Sequence, residues 1–267
     1  EMACPQCFTG SLDEGEPVGK CSKLGDTNVY VASPLDGKGC RQEHAVVIIC
    51  DLFGWTLPNT RLIADQEAEA LGMRVFVPDL YGWSPPAWIA DKEVQPAMTL
   101  FGKLKQWAWL LTRVPQIAWW FVTHGDNRTV PKLRAVLSEL RQSGVSKIVC
   151  QGYCWGGRYS VLMGGTDHVD GFIVAHPAFV KVPKDVEAIT KPGLFILAEN
   201  DHTFSDKDVT KTRDVVTRKS LAVTFNQYKG TIHGFAIRGP KTDPVVMQAR
   251  EDALKASIQF VLQVCGM

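Results

Sequence analysis

The ten residues IVCQGYCWGG, at positions 148 to 157, predict a strand, a sharp turn and the start of a helix. The apolar run at the beginning is typical of a strand, and Cys154 lies at the apex of the turn that follows. This is the pattern of a nucleophile elbow, G-x-S-x-G, with sulfur in place of oxygen, and its glycines are needed because a strained turn leaves no room for a Cβ atom. Taken alone, the stretch is equally typical of a buried cysteine beside a glycine turn.

An acid and a base follow the elbow along the chain. The apolar run 193–198 predicts a buried strand, and the polar loop after it contains Asp201. A second strand-like run, 222–228, ends in a loop where His233 lies between glycines. The chain order of nucleophile, acid and base is that of the α/β-hydrolases and differs from the orders in chymotrypsin and subtilisin. We therefore expect Cys154, Asp201 and His233 to form a catalytic triad.

Strand and helix signals alternate along the rest of the chain. Further strands are predicted at 28–33, 45–50, 74–78 and 171–176, and helices at 57–71, 132–142, 205–219 and 243–264. This alternation predicts an α/β-hydrolase fold with a mostly parallel central sheet and helices on both faces. Because no polar linker interrupts the pattern, we expect one domain over residues 1–267.

The segment 84–130 interrupts the alternation. It contains five of the eight tryptophans: Trp88, Trp107, Trp109, Trp119 and Trp120. The segment is too long for a plain loop, so we predict a helical insertion that packs over the active-site edge of the sheet. A homodimer face is the alternative, since contiguous aromatic surface usually marks a contact. Charged residues and a proline interrupt its apolar part, which argues against a membrane span.

Composition narrows the class of protein. The net charge of +1 argues against a nucleic-acid-binding surface, which would show a clustered basic excess. Cys4 and Cys7 form a C-x-x-C pair, but no second pair follows at ligand spacing, so no metal site is expected. The N-terminal residues do not have the pattern of a secretory signal, and we therefore expect a cytoplasmic protein with free thiols.

Five motifs, in order along the chain, resemble those of the dienelactone hydrolase (carboxymethylenebutenolidase) family. They are Asp51-Leu52-Phe53-Gly54-Trp55 with Pro58-Asn59-Thr60-Arg61, Pro78-Asp79-Leu80-Tyr81, Gly152-Tyr153-Cys154-Trp155-Gly156-Gly157, Ala198-Glu199-Asn200-Asp201 and Thr231-Ile232-His233-Gly234-Phe235. The similarity runs from about residue 28 to the C-terminus. Asp51 stands where bacterial members of the family have Glu. In this it resembles eukaryotic members of similar sequence, which also have Asp there. The resemblance implies hydrolysis of small esters or lactones, without metal or cofactor.

The expected chemistry uses Cys154 as a thiolate that attacks an ester carbonyl. His233, oriented by Asp201, holds the thiol proton and later delivers it. The oxyanion should meet the backbone N–H groups of Leu52 and Trp155.

Asp51 is a further candidate. The family resemblance implies that it contacts the thiol and helps to form the thiolate as substrate binds. The alternative is structural: Asp51 caps the next helix or pairs with Arg61.

Three more residues are candidates for substrate binding. Tyr81 and His176 follow predicted strands at the sheet edge where open α/β sheets bind ligands, although core positions with satisfied polar atoms are an equal alternative. Arg238 either binds a substrate carboxylate or is solvated. Ile237 stands where the bacterial family pattern has Arg, which argues against dienelactone itself as the substrate.

Two other functions remain open at this point. A nucleophilic thiol of lowered pKa also suits a redox-active enzyme, although the motif lacks a resolving cysteine. A non-catalytic pseudo-hydrolase could instead bind a partner through the Trp-rich segment. The presence of all three triad residue types argues against this second alternative.

Overall fold

One eight-stranded sheet runs through the computed structural model, which describes residues 11–35, 40–82 and 123–267. The strands are β1 (Lys20–Leu24), β2 (Thr27–Ala32), β3 (Arg41–Ile49), β4 (Met73–Pro78), β5 (Lys147–Tyr153), β6 (Gly171–Ala175), β7 (Gly193–Asn200) and β8 (Val223–Ile232). Their spatial order is β1-β2-β4-β3-β5-β6-β7-β8. Pairing is antiparallel for β1 with β2 and β2 with β4, and parallel from β4 to β8. The carboxyl ends of six strands therefore meet at one edge.

Helices cover both faces of this sheet. They are α1 (Pro58–Leu71), α2 (Asp126–Gln142), α3 (Trp155–Met163), α4 (Lys184–Glu187), α5 (Asp206–Arg218), α6 (Phe235–Arg238) and α7 (Pro244–Cys265). Side chains alternate between the two faces along β6. Phe172 and Val174 pack with residues of α3, α4 and α5, whereas Ile173 and Ala175 share a core with α1 and α7. This is the predicted α/β-hydrolase fold.

Local signals explain where the helices begin and end. Pro58 opens α1, where its missing N–H costs nothing, and Gly72 closes α1 in the left-handed region at φ 62°. Ser205 and Asp208 form a reciprocal capping box at the start of α5. These ends lie close to the predicted boundaries.

Two elements differ from the prediction. The strand β1 was not expected, because its five residues are polar or exposed and show no buried alternation. Helix α2 begins at Asp126, not at residue 132, because Pro131 is accommodated inside the helix. The predicted insertion 84–130 therefore extends a few residues into α2. Its part up to residue 122, with all five tryptophans, lies outside the described residues. None of the described helices is long and apolar enough to cross a membrane.

Candidate active site

The turn between β5 and α3 has the geometry of a nucleophile elbow. Cys154 adopts φ 51° and ψ −114°, a positive-φ conformation that residues other than glycine rarely occupy. A Cβ atom on Gly152 would lie 2.2 Å from the carbonyl oxygen of Gly156, and one on Gly156 would lie 2.3 Å from that of Ile49. The strained turn is therefore held between β3 and α3 by close backbone contacts that only glycine permits.

Three side chains from separate loops meet at this elbow. The Nε2 atom of His233 lies 3.1 Å from the Sγ atom of Cys154. The Nδ1 atom of His233 lies 3.0 and 2.9 Å from the two carboxylate oxygens of Asp201. The His233 and Asp201 side chains are almost completely buried, and Cys154 is fully buried. The structure thus brings the three predicted triad residues into one hydrogen-bonded line.

The carboxylate of Asp201 is stabilised in its charged form. Burial alone would raise its pKa, but the hydrogen bond and charge of His233, together with the side chain and amide of Thr203, lower the pKa below its ordinary value. An ionised Asp201 accepts from Nδ1–H of His233. The other ring nitrogen of His233 then faces the thiol as an acceptor.

Leu52 and Trp155 are the predicted backbone donors for an oxyanion. The N–H of Cys154 itself donates to the carbonyl of Ala175 at 3.1 Å and is engaged. Trp155 is the first residue of α3, where N–H groups have no acceptor within the helix. The N–H of Leu52 donates no hydrogen bond among the described residues. These are the two positions predicted from the sequence.

Tyr81 braces the loop that carries Leu52. Its hydroxyl lies 2.5 Å from the carbonyl oxygen of Asp51 and 3.2 Å from that of Cys50. Its ring packs on Trp155 with centroids 4.8 Å apart. Burial raises the pKa of Tyr81 well above its ordinary value, so the hydroxyl keeps its proton and donates. Tyr81 therefore contacts both Trp155 and the backbone beside Leu52, the two predicted oxyanion donors. Its role as a substrate contact stays a prediction.

Asp51 neither caps α1 nor pairs with Arg61, the two structural alternatives. Its carboxylate accepts from Nε of Arg238 at 2.6 Å and from the amide of Phe53 at 3.0 Å. The side chains of Asp51 and Arg238 are both buried, 0 and 1 % exposed respectively. Pairing with Arg61 is therefore wrong, because Arg61 stacks between the rings of Tyr30 and Trp55.

The expectation of a solvated Arg238 is also wrong. Its guanidinium lies 4.1 Å from the centroid of the Phe53 ring and is bound to Asp51. Asp51 makes no hydrogen bond to Cys154 among the described residues, so its predicted contact with the thiol is not present in this state.

Comparison with known proteins places these features in a family. Residues 28–265 match the sequence profile of the dienelactone hydrolase family. The chain belongs to this family. A carboxymethylenebutenolidase homolog of Homo sapiens is 30% identical over 264 residues, covering 94% of this chain and 95% of the relative. The hydrolase pyvD of Aspergillus violaceofuscus is 31% identical over 233 residues, covering 87% of this chain and 84% of the relative.

A solved structure agrees on the fold. The putative dienelactone hydrolase of Klebsiella pneumoniae superposes with a TM-score of 0.70 at 15% identity, covering 92% of this chain and 98% of that one. At this identity the likeness concerns the fold. The family membership makes the chain an ester or lactone hydrolase.

His176 occupies an unusual interior position in this dienelactone hydrolase family member. It follows β6 at φ 36°, is fully buried, and its ring contacts that of His233 edge to face at 5.1 Å. Neither ring nitrogen has a hydrogen-bond partner among the described residues. Burial, and then the charge of His233, lower the pKa of His176 well below its ordinary value, so it stays neutral. The alternative of a hydrogen-bonded core histidine does not fit, and substrate contact stays a prediction.

Sequence reasoning missed two residues that hold the site together. Asn59 is fully buried, and its amide donates to the carbonyls of Ser11 and Ile237 at 2.9 and 2.8 Å, which ties α1 to α6 beside Arg238. Thr203 contacts both Asp201 and His233. The Asp-x-Thr spacing of residues 201–203 is typical of an Asx turn and was an available signal for Thr203.

The other cysteines of the described ranges are free thiols. Burial raises the pKa of Cys150 to about 12, and burial with the neighbouring Asp51 raises that of Cys50 well above its ordinary value. In the described ranges, no group of His, Cys, Asp and Glu side chains could hold a metal ion. Cys4 and Cys7 lie outside those ranges.

Proposed function

We propose that this protein hydrolyses small carboxylic esters or lactones through a Cys154–His233–Asp201 triad and an acyl-enzyme. The observation that carries the proposal is the line of contacts from thiol to carboxylate, with 3.1 Å from sulfur to Nε2 and 2.9 Å from Nδ1 to the carboxylate. These distances are within the reach required of a nucleophile, its base and the group that orients the base. Membership of the dienelactone hydrolase family supports the same chemistry.

The proposed reaction has two halves. The thiol proton passes to Nε2 of His233, and the thiolate of Cys154 attacks the ester carbonyl. The tetrahedral oxyanion accepts hydrogen bonds from the backbone N–H groups of Leu52 and Trp155. As the carbon–oxygen bond breaks, the leaving alkoxide takes the proton from His233. A water molecule, deprotonated by His233, then attacks the thioester and releases the acid, and the proton returns to the thiol. No step requires a metal or cofactor.

Asp51 is proposed to control thiolate formation. Its carboxylate is held by Arg238 and the Phe53 amide. For Asp51 to reach the thiol, the ion pair must open, and this gives substrate binding a means to change the reactivity of Cys154. Arg238 is the proposed contact for an acidic group of the substrate, with Tyr81 and His176 as neighbouring candidates.

The surroundings of the protein are also proposals. We propose that it acts in the cytoplasm, where a reducing environment keeps Cys154 as a free thiol. A homodimer formed through the Trp-rich segment stays a prediction, and gel filtration with light scattering measures it.

The test uses three cysteine variants and a panel of aryl esters, enol lactones and thioesters. Cys154→Ala should abolish hydrolysis. Cys154→Ser should keep the fold and lose roughly 100-fold or more in kcat/KM, because a serine hydroxyl is far harder to ionise than a thiol in a site built for a thiolate. Cys265→Ser, a half-buried position near the end of α7, is the matched control and should retain activity. Equal turnover by the Cys154→Ser variant and the unmodified enzyme contradicts the mechanism.

A further inference from the structure

The hydroxyl of Thr203 lies between the acid and the base of the proposed triad. Its Oγ1 atom is 2.6 Å from Oδ1 of Asp201 and 2.9 Å from Nδ1 of His233. The amide of Thr203 also donates to Oδ1 of Asp201 at 2.9 Å. Thr203 can thus donate two hydrogen bonds to the Asp201 carboxylate, from its amide and its hydroxyl, and its hydroxyl oxygen can accept one from the His233 imidazole.

The position of the proton on His233 determines the direction of each hydrogen bond around Thr203. Nε2 of His233 must be an acceptor if it is to take the thiol proton, so the ring hydrogen of the neutral imidazole sits on Nδ1. That N–H has Asp201 and the Thr203 hydroxyl oxygen as acceptors. The single hydroxyl hydrogen of Thr203 then points to Asp201 at 2.6 Å or to the carbonyl of Pro177 at 3.0 Å. The shorter contact, to an anionic acceptor, favours Asp201.

Thr203 also connects the acid loop to the elbow. Its hydroxyl oxygen lies 3.0 Å from the carbonyl oxygen of Pro177, which competes with Asp201 for the one hydroxyl hydrogen, and the amide of Ala178, the residue after Pro177, donates to the carbonyl of Cys154 at 2.9 Å. A change at Thr203 therefore affects both the carboxylate and the loop that supports the nucleophile.

We propose that Thr203 is a positioning residue, whose hydroxyl fixes the Asp201 carboxylate and orients the imidazole of His233 toward Cys154. The inference rests on the proposed function, because it assigns Thr203 a role within that triad. The hydroxyl satisfies one oxygen of a buried anion. Without it, Asp201 keeps the Thr203 amide and His233 as donors, and the angle of the imidazole is less constrained.

A purely structural role makes a different prediction. If Thr203 only tied the loops after β6 and β7 together, its loss would lower thermal stability and leave the pH dependence of the reaction unchanged. Among the described residues, the titratable groups in contact with the Asp201–His233 pair include Cys154 from the elbow and His176 from the end of β6, and the charge of Arg238 acts on His176. Substitution of Thr203 alters none of these groups directly.

The experiment compares Thr203→Val, which keeps the shape, with Thr203→Ser, which keeps the hydroxyl. Thr203→Val should lower kcat/KM by about ten-fold, the value of one hydrogen bond to a charged group, mainly through kcat. The acidic limb of its profile of kcat/KM against pH should move to higher pH, because Asp201 with one donor fewer holds a proton on His233 more strongly. Thr203→Ser should restore both quantities to within about two-fold.

Thr212→Val is the matched control. Thr212 is fully buried on α5, away from the site, and its hydroxyl donates to the carbonyl of Asp208 at 2.7 Å. It should change thermal stability without changing the pH profile. If Thr203→Val does not fold, Thr203→Ala is measured in its place, with the same expected profile.

Two failures are distinguishable. A Thr203→Val enzyme with unchanged kcat/KM and an unchanged pH profile overturns the positioning role, while the loss of activity in Cys154→Ala still supports the triad. If Cys154→Ala retains the activity of the unmodified enzyme, the proposed function fails, whatever the Thr203 variants show.

Discussion

Asp51 and Arg238 form an ion pair in which both side chains are shielded from water, 0 and 1 % exposed. Asp51→Asn removes the charge and leaves the guanidinium buried opposite a neutral amide. We expect a loss of about 3 kcal/mol in the free energy of unfolding, since an unpaired buried charge is costly. Urea denaturation measures this loss. Asp167→Asn, which removes the partner of Lys191 at a fully exposed position, should leave stability essentially unchanged.

The same variant tests the proposed role of Asp51 toward the thiol. If Asp51 helps to form the thiolate, alkylation of Cys154 by a substrate-like haloester should be slower in Asp51→Asn than in the unmodified protein. A variant whose Cys154 reacts at the unmodified rate removes Asp51 from the mechanism and leaves it a structural partner of Arg238.

Single residues also show what the sequence could and could not predict. Cys154, Asp201 and His233 were predictable because each follows an apolar strand in a fixed order, and the carboxyl ends of parallel strands meet at one edge. The partner of Asp51 was not predictable from local pattern, because Arg238 lies 187 positions away and only tertiary packing brings them together.

The nucleophile elbow depends on the close approach of helix α3 to the sheet. In Gly156→Ala the new Cβ would lie 2.3 Å from the carbonyl oxygen of Ile49, in a strand paired on both sides. Neither α3 nor β3 can move without a large energetic cost. We therefore expect the free energy of unfolding to fall by on the order of 4 kcal/mol, or the variant not to fold. Gly157→Ala places its Cβ 3.1 Å from Pro177 and should cost only about 1 kcal/mol. Denaturant midpoints rank the two variants, and equal midpoints contradict this account.

Strands and helices were predictable where burial imposes a pattern of apolar residues on the sequence. Strands β3 to β7 contain continuous apolar runs because both faces of a parallel sheet are covered by helices. Strand β1 lies at the sheet edge and has no buried side chain, so it carried no such signal. The predicted start of α2 at residue 132 was wrong, because the hydrogen bond lost at Pro131 is tolerated where α2 packs through its buried leucines and Val136.

A buried carboxyl on α1, that of Glu67, affects the stability of the whole molecule. Glu67 accepts from the amide of Gln151 at 2.8 Å, and that amide also contacts the hydroxyl of Tyr153 at 2.6 Å. Glu67 is fully buried. Its second oxygen and the amide oxygen of Gln151 have no partner among the described residues. Burial raises the pKa of Glu67 from 4.5 to about 7, against a smaller lowering by the Gln151 hydrogen bond.

The sign of the pH effect follows from this shift. Between pH 4.5 and about 7 the unfolded chain releases the Glu67 proton while the folded protein retains it, so the contribution of Glu67 to stability is lost as pH rises through this window. The buried neutral His176, whose pKa is lowered, acts in the opposite direction in part of the same window. The absolute pH profile therefore mixes several groups, and the difference between two proteins isolates Glu67.

Glu67→Gln should remove this pH dependence, because a neutral amide pays no cost for staying uncharged and can donate to the unpartnered oxygen of Gln151. Relative to the unmodified protein, we expect the variant to gain nothing below pH 4.5 and to gain roughly 3 kcal/mol by pH 7, with little further change up to pH 8. Urea denaturation at pH 4, 6 and 8 measures the difference. Glu69→Gln, at an exposed position on the same helix, should leave the pH dependence intact. A difference between Glu67→Gln and the unmodified protein that is the same at all three pH values would mean that Glu67 is already ionised when folded, and the Gln151 contact would then be a charged one.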